Sequence, residues 1–284
     1  GEKIGWFSTA TLAGRFMAPI AGGSIIGAMV FNPGLSYKFV YLVCGAAGVI
    51  ALILTFKLPN SNPPSPPFSK GGMEGFSEKR DWEETFTTFK SVMSNRYILI
   101  TAGVEASILF AYGTFETFLP LYSINAGLSA YEIGIFLSAQ VITLALAKPV
   151  MGRFSDRHGR QPQIFGGAII GAICIGSFAF FKTFFPLLIL SILFGLSLSI
   201  VTSATSSLIA DLSERETHGS AMGILGSIMD IGHTTGPLVS GMVAKYFDYG
   251  TSFIGASFVL VAAAFMFRLS VMRQKKGDSI AKQS

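Results

Sequence analysis

Charge is scarce in this chain. Asp, Glu, Lys and Arg make up 13% of its 284 residues, half are hydrophobic, and the mean hydropathy is +0.56. Soluble domains carry about twice that share of charge, so composition alone excludes an ordinary water-soluble fold. Cysteine is nearly absent: Cys44 and Cys174 stand in different apolar segments with no metal-type spacing, and both read as small packing residues. Strict apolar/polar alternation, the mark of a membrane barrel, is missing. So are a nucleophile–base pair, a paired metal-ligand motif and a phosphate loop, which argues against an enzyme, a metal site or a cofactor. No signal peptide is visible and the first residue is Gly1, which leads us to expect a piece of a longer chain.

What the chain has is apolar length. Segments fall near 4–31, 39–56, 97–122, 132–151, 164–181, 184–209, 221–244 and 251–270. Most hold the roughly 20 residues a helix needs to cross a bilayer, and a spanning backbone must satisfy its own hydrogen bonds. The expected fold class is an all-α membrane protein with eight transmembrane helices, both ends on one side. The net charge of +5 fits that topology better than it fits nucleic acid. Of 21 Lys and Arg, 16 fall in the termini, counting Arg268 at the very end of the last span, and in the turns 57–96, 152–163 and 210–220; the others are Lys38, Lys182, Lys245, Arg15 and Lys148. The positive-inside rule makes the rich face cytoplasmic, in an inner or plasma membrane.

Residues 58–95 interrupt the apolar pattern. "LPNSNPPSPPFSKGG" cannot propagate a helix and reads as a cytoplasmic linker, while "DWEETFTTFKSVMSNR" places apolar residues at helical spacing and predicts a short interfacial helix. Two spans therefore precede the linker (1–57), six follow it (96–272), and 273–284 form a cytoplasmic tail. "GRFMAPIAGG" at 14–23 and "GHTTGPLVSG" at 232–241 share the frame G-x-x-x-[AG]-P-x-x-x-G, so the first span is a cousin of the seventh. If 96–272 is one six-helix unit, the first two spans close an equivalent unit, and four helices are expected ahead of Gly1.

"GRFSDRHGRQ" resembles the loop signature G-x-x-x-D-[RK]-x-G-R-[RK] of the major facilitator superfamily, with Gly152, Asp156, Arg157, Gly159 and Arg160 on pattern and Gln161 off it. Gly14, Pro19, Gly22 and Gly23 are similar to the signature of that superfamily's drug:proton antiporter branch, with Ala18 in place of a Gly. Small residues and a proline also serve plain helix packing. The resemblance covers the chain as helices 5–12 of twelve. It implies a cytoplasmic latch in which Asp156 faces the start of the first span near Gly1–Gly5, and a carrier that is monomeric in its complete form.

Ionisable groups inside the spans mark the candidate cavity. Arg15, Glu105, Glu116, Asp230 and His233 lie in apolar segments. Each ionised group at the bilayer centre costs about 2.5–3.5 kcal/mol, so Arg15 and the three acids together imply on the order of 10 kcal/mol. That rivals a domain's net stability of about 5–15 kcal/mol, so they must be paired, protonated or wet. Glu105, Tyr112 and Glu116 fall on one stripe, the two acids within roughly 20° of each other, which predicts a wet acidic face. Asp230 and His233 are three residues apart and within reach along one face, where Asp230 neutralises His233 or Arg15, or serves in coupling. The hydroxyls of "SLSIVTSATSS" either line the cavity or bond their own helix. The expected function is proton-coupled efflux of amphipathic drugs or metabolites, with Glu105 or Glu116 carrying the proton and Tyr112 shaping substrate contact. An uptake symporter for a sugar, peptide or organic anion, and a transport-inactive sensor or truncated remnant, stay open. The partners are a small-molecule substrate, protons and the lipid bilayer, with no nucleic acid.

Overall fold

The computed structural model describes residues 14, 17–28, 33–56, 94–213 and 218–281. Within them eight α-helices follow in order and no strand occurs: α1 Met17–Ala28, α2 Pro33–Phe56, α3 Arg96–Asn125, α4 Ala130–His158, α5 Arg160–Ser177, α6 Phe184–Leu212, α7 His218–Tyr246 and α8 Tyr249–Ala281. The chain is an all-α membrane protein. α3, α4, α6, residues 160–180 and residues 249–270 are each long and apolar enough to cross a membrane. α7 is as long as α4, but its glycines, Asp230, His233 and two threonines dilute its apolar content. Arg15, the expected partner of Asp156 near Gly1–Gly5, the linker over 57–93 and its interfacial helix lie outside the described residues.

Local chemistry sets the helix ends. Asn95 Oδ1 accepts hydrogen bonds from the backbone N–H groups of Tyr97 and Ile98 at 3.0 and 3.3 Å and starts α3. Ser129 and Glu132 form a reciprocal capping box that starts α4. Asp248 accepts from the backbone N–H of Thr251 at 2.6 Å at the head of α8, a bond that holds its carboxyl below the ordinary carboxylate range.

The segment 152–163, expected as a turn between two spans, is almost wholly helical. α4 runs on to His158 and α5 begins at Arg160, so Gly159 alone lies between them. Gly159 sits at φ +91°, where a side chain would be strained, and this single residue reverses the chain. Gly152 lies inside α4. Arginine is a good helix former, so the apolar run ends well before the helix does. The C-terminus behaves likewise: α8 continues through the basic residues to Ala281.

α3 to α8 form one bundle. α4 packs most widely on α6 and α3 on α7, while α5 touches both α6 and α8. Phe115, Phe136, Phe178, Phe194 and Phe253 are fully buried, and Phe115 meets the rings of Phe178 and Phe194 at 5.4 and 5.3 Å. Lipid is as apolar as this core, so burial of apolar area does little to hold the helices together. Close backbone approach and hydrogen bonds between helices take that role. A Cβ at Gly232 would meet the Ala106 carbonyl, one at Gly236 the Phe110 carbonyl, and one at Gly113 the His233 carbonyl, so α3 and α7 lie backbone to backbone. Thr114 and Ser240 share a buried hydroxyl bond of 2.7 Å across the same seam. Ser197 and Ser257 donate to the carbonyls of Gly167 and Ala172, tying α6 and α8 to α5.

α1 reaches the bundle through α4. A Cβ on Gly23 would lie 2.5 Å from the Ala130 carbonyl oxygen, and one on Gly134 at 2.5 Å from that of Pro19. In α2 every residue over 41–54 is exposed. Gly232→Ala should lower the unfolding free energy in detergent by about 1–3 kcal/mol, the usual cost of overpacking. Gly223→Ala, at a site with open space, should leave it unchanged or raise it by up to about 1 kcal/mol. Equal melting temperatures for the two variants would show that the α3–α7 seam does not depend on glycine.

Candidate functional site

The α3–α7 seam brings three of the expected residues together. His233 Nε2 lies 3.1 Å from Glu116 Oε2, and the Tyr112 ring stacks on the imidazole at 5.3 Å and 23°. Both members of the pair are about half exposed, His233 at 43% and Glu116 at 50%, so the cluster opens outward. The contact is an ion pair only when the imidazole is protonated.

Asp230 does not pair with His233, contrary to the helical spacing. It is exposed on α7, while His233 turns across the seam to α3. The close backbones make a carboxylate on the facing helix nearer than one on the same helix.

Glu105 also departs from expectation. It is fully buried, not on a wet face with Glu116. Thr205 of α6 donates its hydroxyl to Glu105 Oε2 at 2.6 Å, while Oε1 has no protein partner. The acidic stripe of α3 therefore meets α6 at the level of Glu105 and α7 at the level of Glu116, because neighbouring helices cover different stretches of it. Of the two roles expected of the α6 hydroxyls, bonding to their own helix is the one seen: Thr202, Ser203 and Ser206 bond carbonyls of α6, and the buried Thr205 hydroxyl lies within reach of both the Val201 carbonyl and Glu105.

Beside the Glu116 cluster lies a pocket of about 70 Å³ lined by Pro19, Tyr112, Glu116, Leu137, Gln140 and Val141. Pro19 carries the antiporter-like signature into this wall, and Gly23 makes the α1–α4 crossing close; Gly14 and Gly22 face open space. Gln140 escaped the sequence reading, although a lone amide in the apolar run 133–147 is itself a signal.

The loop signature forms a second cluster. Arg160 Nε lies 2.9 Å from Asp211 Oδ2 at the end of α6, and Arg160 Nη2 lies 3.4 Å from Asp156 Oδ1. Asp156 and Arg157 are exposed, and the three residues Asp156, Arg160 and Asp211 border a hollow of about 650 Å³. Arg160 thus ties the α4–α5 junction to α6. Asp211 was missed because it closes an apolar run just where a charged turn is expected. Among the described residues no group of His, Cys, Asp and Glu is arranged to hold a metal ion.

Thr205→Val should remove the hydroxyl from a buried carboxyl and cost about 1–3 kcal/mol of unfolding free energy, with Thr205→Ser close to the parent. Equal loss in both variants, measured by thermal unfolding in detergent, would assign the effect to packing and not to the Glu105 bond.

Residues 123–284 match the family model of the Major Facilitator Superfamily. The chain is 32% identical over 151 residues to the multi-drug resistance efflux pump PmrA of Streptococcus pneumoniae, covering 51% of this chain and 38% of that one. It is 25% identical to the PmrA homolog of Lactococcus lactis, over 94% of this chain and 63% of the relative, and 25% identical to multidrug resistance protein MdtG of Klebsiella pneumoniae, over 96% and 63%. The chain spans less than two thirds of the length of these relatives. In fold it is similar to a bacterial homolog of the human lysosomal transporter Spinster, in an inward-facing and unoccupied conformation, with a TM-score of 0.64 and 15% identity over 94% of this chain and 68% of that one. With its helical bundle and the matched family model, the chain belongs to the Major Facilitator Superfamily.

Proposed function

We infer that this chain is the last eight helices of a proton-coupled efflux carrier for amphipathic drugs or metabolites, working as a monomer by alternating access. α1 and α2, within 1–57, belong to one helical half and residues 96–272 make up the other. The 58–95 linker, both ends of this piece and the 273–284 tail are cytoplasmic. The observation that carries the reading is the meeting of Tyr112, Glu116 and His233 on an open face between two membrane helices. Ionisable groups there are costly and persist where they border a water-filled path. The names of the PmrA and MdtG relatives favour drug efflux as the direction.

In this mechanism rigid halves rock about a central site. A carboxyl moved between wet and dry surroundings takes up a proton in one and yields it in the other. Glu116 is the carboxylate that a cationic substrate can reach, and His233 is the partner it must displace. Glu105, sealed under Thr205, is open to exchange only when α6 moves away. Arg15, expected at the repeat position of His233, and Asp230 supply further charge to the cavity. Gly152, Asp156, Arg157, Gly159 and Arg160 form the cytoplasmic gate, closing when Asp156 meets the start of the first span.

Everted vesicles with an acid interior and a pH-sensitive dye provide the test. Tetraphenylphosphonium should release protons through the parent protein, and Glu105→Gln and Glu116→Gln should each abolish that release, with Glu105→Gln leaving substrate counterflow measurable. Proton release retained in both variants would defeat the assignment. Proton movement in the direction of the substrate would make the protein an uptake symporter.

A further inference from the structure

The end of the bundle away from Arg153, Arg157 and Arg160 carries a cavity of its own, apart from the α3–α7 cluster. It measures about 220 Å³ and lies where the end of α3, the α5–α6 turn and the α7–α8 turn meet. Tyr122, Asn125, Lys182, Asp248, Tyr249 and Gly250 line it. One wall thus bears a cation and another an anion. Among the described residues, Lys182 and Asp248 form no ion pair within 4 Å, so the two charges border one space without closing on each other.

Local structure keeps this space open. The buried Tyr122 hydroxyl donates to the carbonyls of Phe181 and Ala179 at 3.0 and 3.2 Å, which fixes the turn that carries Lys182. Asp248 accepts from the backbone N–H of Thr251, and that bond holds its carboxyl below the ordinary carboxylate range, so it stays ionised. A Cβ at Gly250 would lie 3.5 Å from both Asp248 Oδ1 and the Ala179 Cβ. A larger side chain there would fill the gap between the two turns.

The depth of the cavity points to what can enter it. Tyr131, Phe180, Phe181, Tyr246 and Phe247 are exposed at the same end of the bundle. Exposed tyrosines at the ends of spanning helices mark the level of the lipid head groups. A fixed cation and a fixed anion that do not meet are best satisfied by a ligand carrying both charges in reverse order. At about 220 Å³ the cavity is smaller than the roughly 300–1,000 Å³ of a drug-sized site, yet it holds the volume of about seven waters. That suits a phosphate joined to a short aminoalkyl arm.

We propose that this cavity binds the head group of a phospholipid bearing a primary ammonium, with the lipid phosphate at Lys182 and the ammonium at Asp248. The exposed phenylalanine rings beside the Lys182 turn offer the acyl chains an apolar surface. An ammonium donates charge-assisted hydrogen bonds to the carboxylate; a trimethylammonium has no N–H to donate, and a glycerol head group brings no positive charge. The site is independent of the cargo that the carrier moves and stands or falls apart from the efflux reading.

Native mass spectrometry of the purified protein, titrated with phosphatidylethanolamine, phosphatidylcholine and phosphatidylglycerol, counts bound lipids and separates the outcomes. The parent protein should bind phosphatidylethanolamine about tenfold more tightly than the other two, as one charge-assisted hydrogen bond gives. Asp248→Asn keeps an acceptor for the Thr251 N–H and should bring phosphatidylethanolamine and phosphatidylcholine to within about twofold of each other. Lys182→Gln should weaken both by a similar factor, because both carry the phosphate. If Asp248→Asn does not fold, Gly250→Val, which fills the cavity and leaves both charges in place, decides by the same ratio. No preference in the parent, a preference that survives these substitutions, or binding unchanged by Lys182→Gln overturns the site. Phosphatidylglycerol bound as tightly as phosphatidylethanolamine also overturns it, by reducing the contact to general attraction between phosphate and lysine. Displacement of the lipid by an equal concentration of soluble glycerophosphoethanolamine overturns the lipid assignment in favour of a free zwitterion.

Discussion

Helices in lipid cannot be held together by the preference of apolar side chains for one another, because lipid satisfies that preference equally well. What remains is contact between backbones and hydrogen bonds across helices. In this chain both are concentrated on the α3–α7 seam, where Gly113, Gly232 and Gly236 remove the side chains that would hold the helices apart. The functional cluster follows from that approach. Tyr112 and Glu116 flank Gly113 on α3, and the Gly113 Cα faces the carbonyl of His233 itself. The stacked ring and the 3.1 Å contact are consequences of a backbone distance that only glycine allows.

The polar groups of the bundle fall into two kinds. Ser197, Ser252, Ser257 and Tyr122 donate to carbonyls of neighbouring helices or turns, and these bonds fasten helix to helix. Glu105, Glu116, His233 and Gln140 are different, because each is only partly matched by protein or stands half open to its surroundings. Groups of the first kind resist rearrangement. Those of the second kind gain from a change of partner.

The sequence made the spans legible, since apolar length is a property of composition along one helix. It also marked Tyr112, Glu116 and His233, because charge inside an apolar run has few explanations. Pairing was less legible. Spacing along α7 favours Asp230 with His233, but the partner is Glu116, chosen by a crossing between helices that no single-helix periodicity encodes. The burial of Glu105 under Thr205 is of the same origin. The 152–163 segment misled in another way. Its arginines marked the end of the apolar run, while the helix, indifferent to polarity, continued to His158. Gln140 and Asp211 were passed over because their significance lies in what faces them, Glu116 across a pocket and Arg160 across a junction.

The same seam chemistry recurs where α1 meets α4, and there it bears on motion. Gly23 rests on the Ala130 carbonyl and Gly134 on that of Pro19, so α1 and α4 approach backbone to backbone, and Gly27 lies against Tyr131. Pro19 is the one residue of α1 that walls the pocket shared by Glu116 and Gln140, the rest coming from α3 and α4. The pocket is thus closed on one side by a helix whose hold on the bundle is a glycine crossing, so any displacement of α1 from α4 changes its shape. A ligand lodged in this pocket would in turn favour the arrangement in which Pro19 completes the wall. A ligand shifts an equilibrium only by the difference in its affinity for the two states, and here that difference is built into the wall itself.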